Sequence, residues 1–130
     1  MCLYDPHHAR VKRPLREEDY LAQEHVVVSY NADLRGVVED LLGKQRRVRC
    51  SVSSFANLGA LVDGSALLAT IPALVAQQIR AVRPHLRTRP LPFSPSGAAT
   101  ELLWPATADD DEAGLYLRAH IEKIARATRA

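Results

Sequence analysis

The sequence predicts an α/β fold in which strands alternate with helices through very short loops, and three observations carry that reading. The run Ala66-Leu-Leu-Ala-Thr-Ile-Pro72 is apolar without polar alternation, which suits a strand buried on both faces of a parallel sheet. His25-Val-Val-Val-Ser-Tyr30 sets three β-branched valines in succession, which favours extended backbone. Between them, Leu34, Val37, Val38, Leu41 and Leu42 recur at helical spacing and form one apolar stripe. Such alternation indicates βαβ units with right-handed crossovers.

In chain order, Met1-Cys-Leu-Tyr4 reads as a short strand ended by Asp5-Pro6, with no preceding element to pair it. Residues His7 to Leu15 form a basic loop closed by Pro14. Arg16-Glu-Glu-Asp19 leads into a short helix through Tyr20-Leu21-Ala22, its acidic residues in the first turn, where the helix dipole favours them. After the valine strand, Asn31 or Asp33 caps the next helix, Gly36 weakens it and Gly43 ends it. Lys44 to Arg47 make an exposed turn into the strand Val48-Arg-Cys-Ser-Val52. Ser53 or Ser54 then caps a helix carrying Phe55, Leu58, Leu61 and Val62, which Asp63-Gly64-Ser65 terminates. The strand from Leu67 to Ile71 turns at once into a helix opened by Pro72 and running to Val82.

The pattern changes after Arg83. Prolines at 84, 90, 92 and 95 forbid a continuous helix, so His85 to Arg89 reads as an extended crossover and Ser94-Pro-Ser-Gly97 as a turn. Thr100-Glu-Leu-Leu-Trp104 reads as a further strand, stopped by Pro105. Asp109-Asp-Asp-Glu112 introduces a final amphipathic helix with Leu117, Ile121, Ile124 and Ala125 on one face. The expected body thus runs from about His7 to Arg83, and residues 1–6 and 89–130 look like crossover strands and fragments of a second lobe.

Composition narrows the function. The chain has 130 residues, 47% hydrophobic but only 5% aromatic, and a formal charge of +2, so it is one domain or one domain plus part of another. Nucleic-acid binding calls for a basic stripe; Arg46, Arg47 and Arg49 are the densest candidates and read as solvated turn and edge charges. The two cysteines, Cys2 and Cys50, form neither a CxxC pair nor a disulfide framework. With no secretory segment after Met1 and no apolar stretch of spanning length, the expected setting is cytoplasmic, without membrane association. His7 and His8 are adjacent and diverge, with no ligand partner at metal spacing, so neither metal nor cofactor is expected. There is no G-x-S-x-G elbow and no glycine-rich phosphate loop, and Glu17-Glu18 and Glu39-Asp40 fall on solvated surfaces. Nothing in the sequence calls for catalysis.

What remains is a set of groups at the carboxyl ends of the predicted strands: Ser29 and Tyr30, then Ser53, Ser54 and Phe55, then Thr70 and Ile71 before Pro72. In a parallel sheet these ends share one edge beside helix N-termini, where hydroxyls, backbone N–H groups and the Phe55 ring can line a pocket for a small anion with an apolar part. The serines equally serve as helix caps.

The series Tyr20-Leu21, His25-Val-Val-Val-Ser29, Arg46-Arg47-Val48, Val52-x-Ser-Phe55 and Leu67-Leu-Ala-Thr-Ile-Pro72, closed by Leu102-Leu-Trp104 and Leu115-Tyr-Leu-Arg118, resembles the effector-binding domain of LysR-type transcriptional regulators. It is closest to the branch of aromatic-catabolism and nodulation regulators. The resemblance implies a two-lobed fold similar to type 2 periplasmic binding proteins, with a small effector in the cleft and lobe closure changing how a tetramer holds DNA. Ser29, Tyr30, Phe55, Thr70, Ile71 and Pro72 match the family's cleft-lining pattern. Neither the family's helix-turn-helix nor the first half of its first lobe has a counterpart in the sequence. The chain is therefore expected to be a truncated regulator that contacts DNA only through that absent domain and covers its incomplete lobe by self-association or domain swapping. A transport-type solute-binding protein of the same fold is the alternative, and a small α/β enzyme a third reading.

Overall fold

The computed structural model describes residues 1–94 and 101–128, apart from the side chains of Val37 and Leu41. The predicted turn at Ser94 to Gly97, beyond Ser94 itself, and Thr100 of the predicted strand lie outside the described residues. The chain divides into two compact units, Met1–Gly97 and Ala98–Ala130.

The first unit is built on a five-stranded sheet in the order β3-β2-β4-β1-β5, formed by β1 (Cys2–Tyr4), β2 (Glu24–Val28), β3 (Arg47–Val52), β4 (Leu68–Thr70) and β5 (Arg87–Arg89). Three of these strands, β3, β2 and β4, are parallel neighbours. The opening strand is not solitary. β1 lies between β4 and β5, antiparallel to both, with Cys2 opposite Thr70 on one side and Tyr4 opposite Arg87 on the other. Its partners come from much later in the chain, so local sequence carried no sign of them. The segment read as an extended crossover supplies β5.

Alternation along the strands sends successive side chains to opposite faces, and helices cover both. On one face Leu3, Val26 and Ala69 meet Leu58 and Val62 of α3 (Leu58–Val62) and Ala76 and Ile79 of α4 (Ala73–Val82). On the other, Cys2, Tyr4 and Leu68 meet Tyr20 of α1 (Glu17–Leu21) and Val38 of α2 (Val37–Leu42). Helix α2 starts later than its sequence stripe suggests: Leu34 is exposed, and Gly36 is the N-cap, its N–H donating to the Glu39 carboxylate over 2.8 Å. Gly43 ends it in the left-handed conformation (φ +61°) that glycine adopts freely.

In the second unit, residues 101–105 form no strand, which corrects the expectation for 100–104. An apolar run becomes a strand only when another strand satisfies its backbone groups, and none of the described residues does so. Asp111 instead organises this unit: its carboxylate accepts from the Gly114 N–H over 2.6 Å and opens α5 (Glu112–Thr128). The acidic run is therefore a helix-start signal, as read.

Candidate functional site

The carboxyl ends of β2 and β4 border a cavity of about 130 Å³ lined by Val27, Val28, Tyr30, Gly36, Arg46, Phe55 and Thr70. Of the eight residues singled out in the sequence, Tyr30, Phe55 and Thr70 meet there. Tyr30 is 81% exposed and stands at the rim. Thr70 directs its hydroxyl at the Tyr20 hydroxyl, 2.6 Å away. The other five do not line this cavity. Ser29 is buried and closes its own loop, donating to the Asp33 carboxylate and accepting from the Asn31 N–H over 3.3 Å. Ser53 and Ser54 are exposed, and Ser54 caps the single turn 55–57 by accepting from the Ala56 N–H over 3.2 Å. Ile71 is a core residue whose N–H donates to the Met1 carbonyl over 3.0 Å. Pro72 precedes α4 as its N-cap, one residue before the helical position expected for it.

The charged part of the cavity wall is Arg46, which the sequence reading placed in solvent together with its partner Glu39. Arg46 and Glu39 are both buried, with side chains 2% and 3% exposed. They form a two-pronged pair, Nε to Oε1 at 2.6 Å and Nη2 to Oε2 at 2.7 Å. Arg46 Nη1 also donates to the Tyr20 hydroxyl over 2.9 Å. A charged residue beside a turn reads as surface, and the only prior hint was two arginines leading directly into an apolar strand. These contacts join α2, the start of β3, α1 and, through Thr70, β4.

Burial alone would raise the Glu39 pKa, but the hydrogen bonds and charge of Arg46 and the Gly36 N–H hold it down at about 2. Burial likewise opposes charge on Arg46, and Glu39 more than compensates, raising its pKa. Burial pushes the Tyr20 hydroxyl up, against the opposing influence of Arg46 and Thr70. His25, fully buried on β2, is pushed down to about 4 by burial, against the Tyr20 carbonyl 2.8 Å from its Nε2. Cys2 is held near 12 by burial and is an inert core thiol.

Arg46 spends three donor directions on Glu39 and Tyr20, and a guanidinium carries five N–H groups. The cavity therefore combines a guanidinium with two N–H groups that have no partner among the described residues, a hydroxyl and the apolar surfaces of Val27, Val28 and Phe55.

A sheet covered on both faces, with a polar-floored cavity at the carboxyl edge of its parallel strands, defines an open α/β lobe, and its likeness to solved LysR regulatory domains gives it the periplasmic-binding-protein-like fold. The profile described as LysR substrate binding domain matches residues 1–124, and the chain belongs to that family. It is 29% identical over 122 residues to Nodulation protein D 1 of Mesorhizobium japonicum, covering 91% of this chain and 38% of that protein. It is 32% identical over 123 residues to the HTH-type transcriptional activator NagR of a Ralstonia species, covering 91% and 40%. The regulatory domain of MexT, a transcriptional activator in Pseudomonas aeruginosa, superposes with a TM-score of 0.68 at 31% identity, over 92% of this chain and 58% of that one. The chain thus spans 38–40% of the length of these two curated relatives. No helix among the described residues is long and apolar enough to cross a membrane.

Proposed function

We propose that this chain is effector-binding sequence of a cytoplasmic LysR-type transcription regulator, sensing a small organic acid with an aromatic or apolar body. It acts by binding rather than catalysis. The observation that carries the reading is the cavity at the carboxyl edge of β2 and β4, where the Arg46 guanidinium and the Thr70 hydroxyl meet the Phe55 ring. The acid group engages the unspent Arg46 donors and the hydroxyl, and the ring rests on Phe55, Val27 and Val28. Residues 7–88 serve as one regulatory lobe and residues 89–130 return towards the other. Effector binding shifts the balance between open and closed lobes by favouring one of them. Self-association and a helix-turn-helix domain outside this sequence turn that shift into a change in DNA binding.

At about 130 Å³ the cavity is small beside the roughly 300–1,000 Å³ of typical ligand sites, so this chain alone binds its effector weakly. The test is a titration with benzoate and related aromatic carboxylates, followed by amide chemical shifts. Gly36, Arg46, Phe55 and Thr70 are expected to move, and Thr70→Val to weaken the response. Shifts confined to other residues, or none at millimolar ligand, would overturn the reading.

A further inference from the structure

Away from this cavity, Asp5 after β1, Asp63 at the end of α3 and His85 between α4 and β5 bring one ligand atom each to within 4.8 Å of the others. His85 Nε2 lies 2.8 Å from Asp63 Oδ1. A second imidazole flanks the group, with His8 Nδ1 3.1 Å from Asp5 Oδ2. We propose that Asp5, Asp63 and His85 bind one divalent transition-metal ion of the zinc type, with His8 turning in as a fourth donor.

The donor set points to that class of ion. Carboxylate oxygens combined with imidazole nitrogens suit Zn²⁺, Co²⁺ and Ni²⁺, whereas Ca²⁺ takes oxygen ligands alone. Asp5 is 2% exposed, and its carboxylate is aimed by the His7 N–H at Oδ1 and the Gly64 N–H at Oδ2, each 2.9 Å away. Asp63 and His85 are 38% and 40% exposed and able to adjust. Bonds of about 2.0–2.1 Å around a tetrahedral ion set donors about 3.3 Å apart, so the widest separations close by up to roughly 1.5 Å while the 2.8 Å contact of Asp63 and His85 opens slightly, through these two exposed members.

The opposing charge is Arg83, whose Nε sits 3.2 Å from Asp63 Oδ2. This guanidinium, 31% exposed, offsets one of the two carboxylate charges and leaves the other for a cation. The ion would tie together three segments distant in sequence, at the end where Tyr4 of β1 pairs with Arg87 of β5. Binding to the folded chain alone raises its stability.

The test is titration of the whole chain with Zn²⁺ or Co²⁺, read by melting temperature, by calorimetry and by the visible absorption of Co²⁺. One ion per chain, a rise in melting temperature reversed by chelator, and at least tenfold weaker binding in Asp63→Asn and in His85→Gln are expected. His120→Gln, which removes an exposed imidazole on α5, is expected to bind as the parent does. Circular dichroism of the two cluster variants separates loss of the site from loss of the fold. Absence of binding by the parent at millimolar metal, or undiminished binding by a folded Asp63→Asn, His85→Gln double variant, would overturn the proposal.

Discussion

Residues 1–97 and residues 98–130 treat their apolar side chains in opposite ways. The first unit covers both faces of its sheet, and Leu3, Leu58, Val62, Leu68 and Leu86 are almost completely buried. In the second, α5 runs for 17 residues without a buried one, and Leu117 and Ile124 of its apolar stripe are 59% and 62% exposed. Its described support is local: the Asp111 cap, Arg118 stacked 4.7 Å from the Trp104 ring, and the Arg118 guanidinium on the Ala108 and Asp109 carbonyls. Amphipathicity thus records a need for a partner surface rather than possession of one.

The largest expected difference lies in the ion pairs. Arg46→Met leaves Glu39 charged and buried, and denaturant unfolding is expected to show a loss of about 3–5 kcal/mol. Arg126→Met, breaking the exposed pair with Glu122, is expected to cost less than about 0.5 kcal/mol. Equal effects would break the comparison.

Next is acid sensitivity of the first unit. Between its ordinary value of 6.5 and about 4, His25 takes up a proton in the unfolded chain but not in the fold. Unfolding therefore binds protons in that window, and stability falls as pH drops through it, by an amount on the order of 3 kcal/mol. Asp5 and Glu39, both held at about 2, extend the loss below their ordinary carboxyl values. Urea midpoints measured from about pH 7 to about pH 4 should track this fall, and His25→Gln should flatten it.

A matched glycine pair is expected to differ in size. In Gly59→Ala the new Cβ would meet Ile79 Cγ2 at 2.8 Å inside the core, an overpacking of about 1–3 kcal/mol. In Gly114→Ala it meets Asp111 Oδ2 at 2.8 Å and Arg118 Nη1 at 3.0 Å, so about 0.5–1 kcal/mol of helix propensity is offset by a loosened Asp111 cap and the helicity of α5 changes little. Thermal melts of the first variant and helical ellipticity of the second check both. The smallest effect is Ile124→Ser, expected to leave the unfolding midpoint of the first unit within about 0.5 kcal/mol of the parent.

The edge strand β3 alternates arginine with half-buried residues, while apolar runs announced β2 and β4 because a strand covered on both faces has no polar alternation to hide it. The same reasoning misplaced Leu102 to Trp104, whose run is equally apolar but unpaired among the described residues. Of the candidate site, Tyr30, Phe55 and Thr70 were legible as strand-end positions. Arg46, Glu39 and Gly36 were not, because residue type alone puts charge in water and reads a glycine as a weak point in a helix. The Asp5, Asp63 and His85 cluster escaped notice for a related reason: its members share no sequence spacing.

By itself, then, the sequence determined the alternation of elements, the parallel edge and its family, since periodicity and residue order are local properties. Tertiary structure alone decided that β1 is an inner strand, that Arg46 and Glu39 are buried together, and that the stripe of α5 lies open. Those outcomes depend on which distant segment arrives to satisfy a backbone group, a charge or an apolar surface, and no window of sequence contains its own partner.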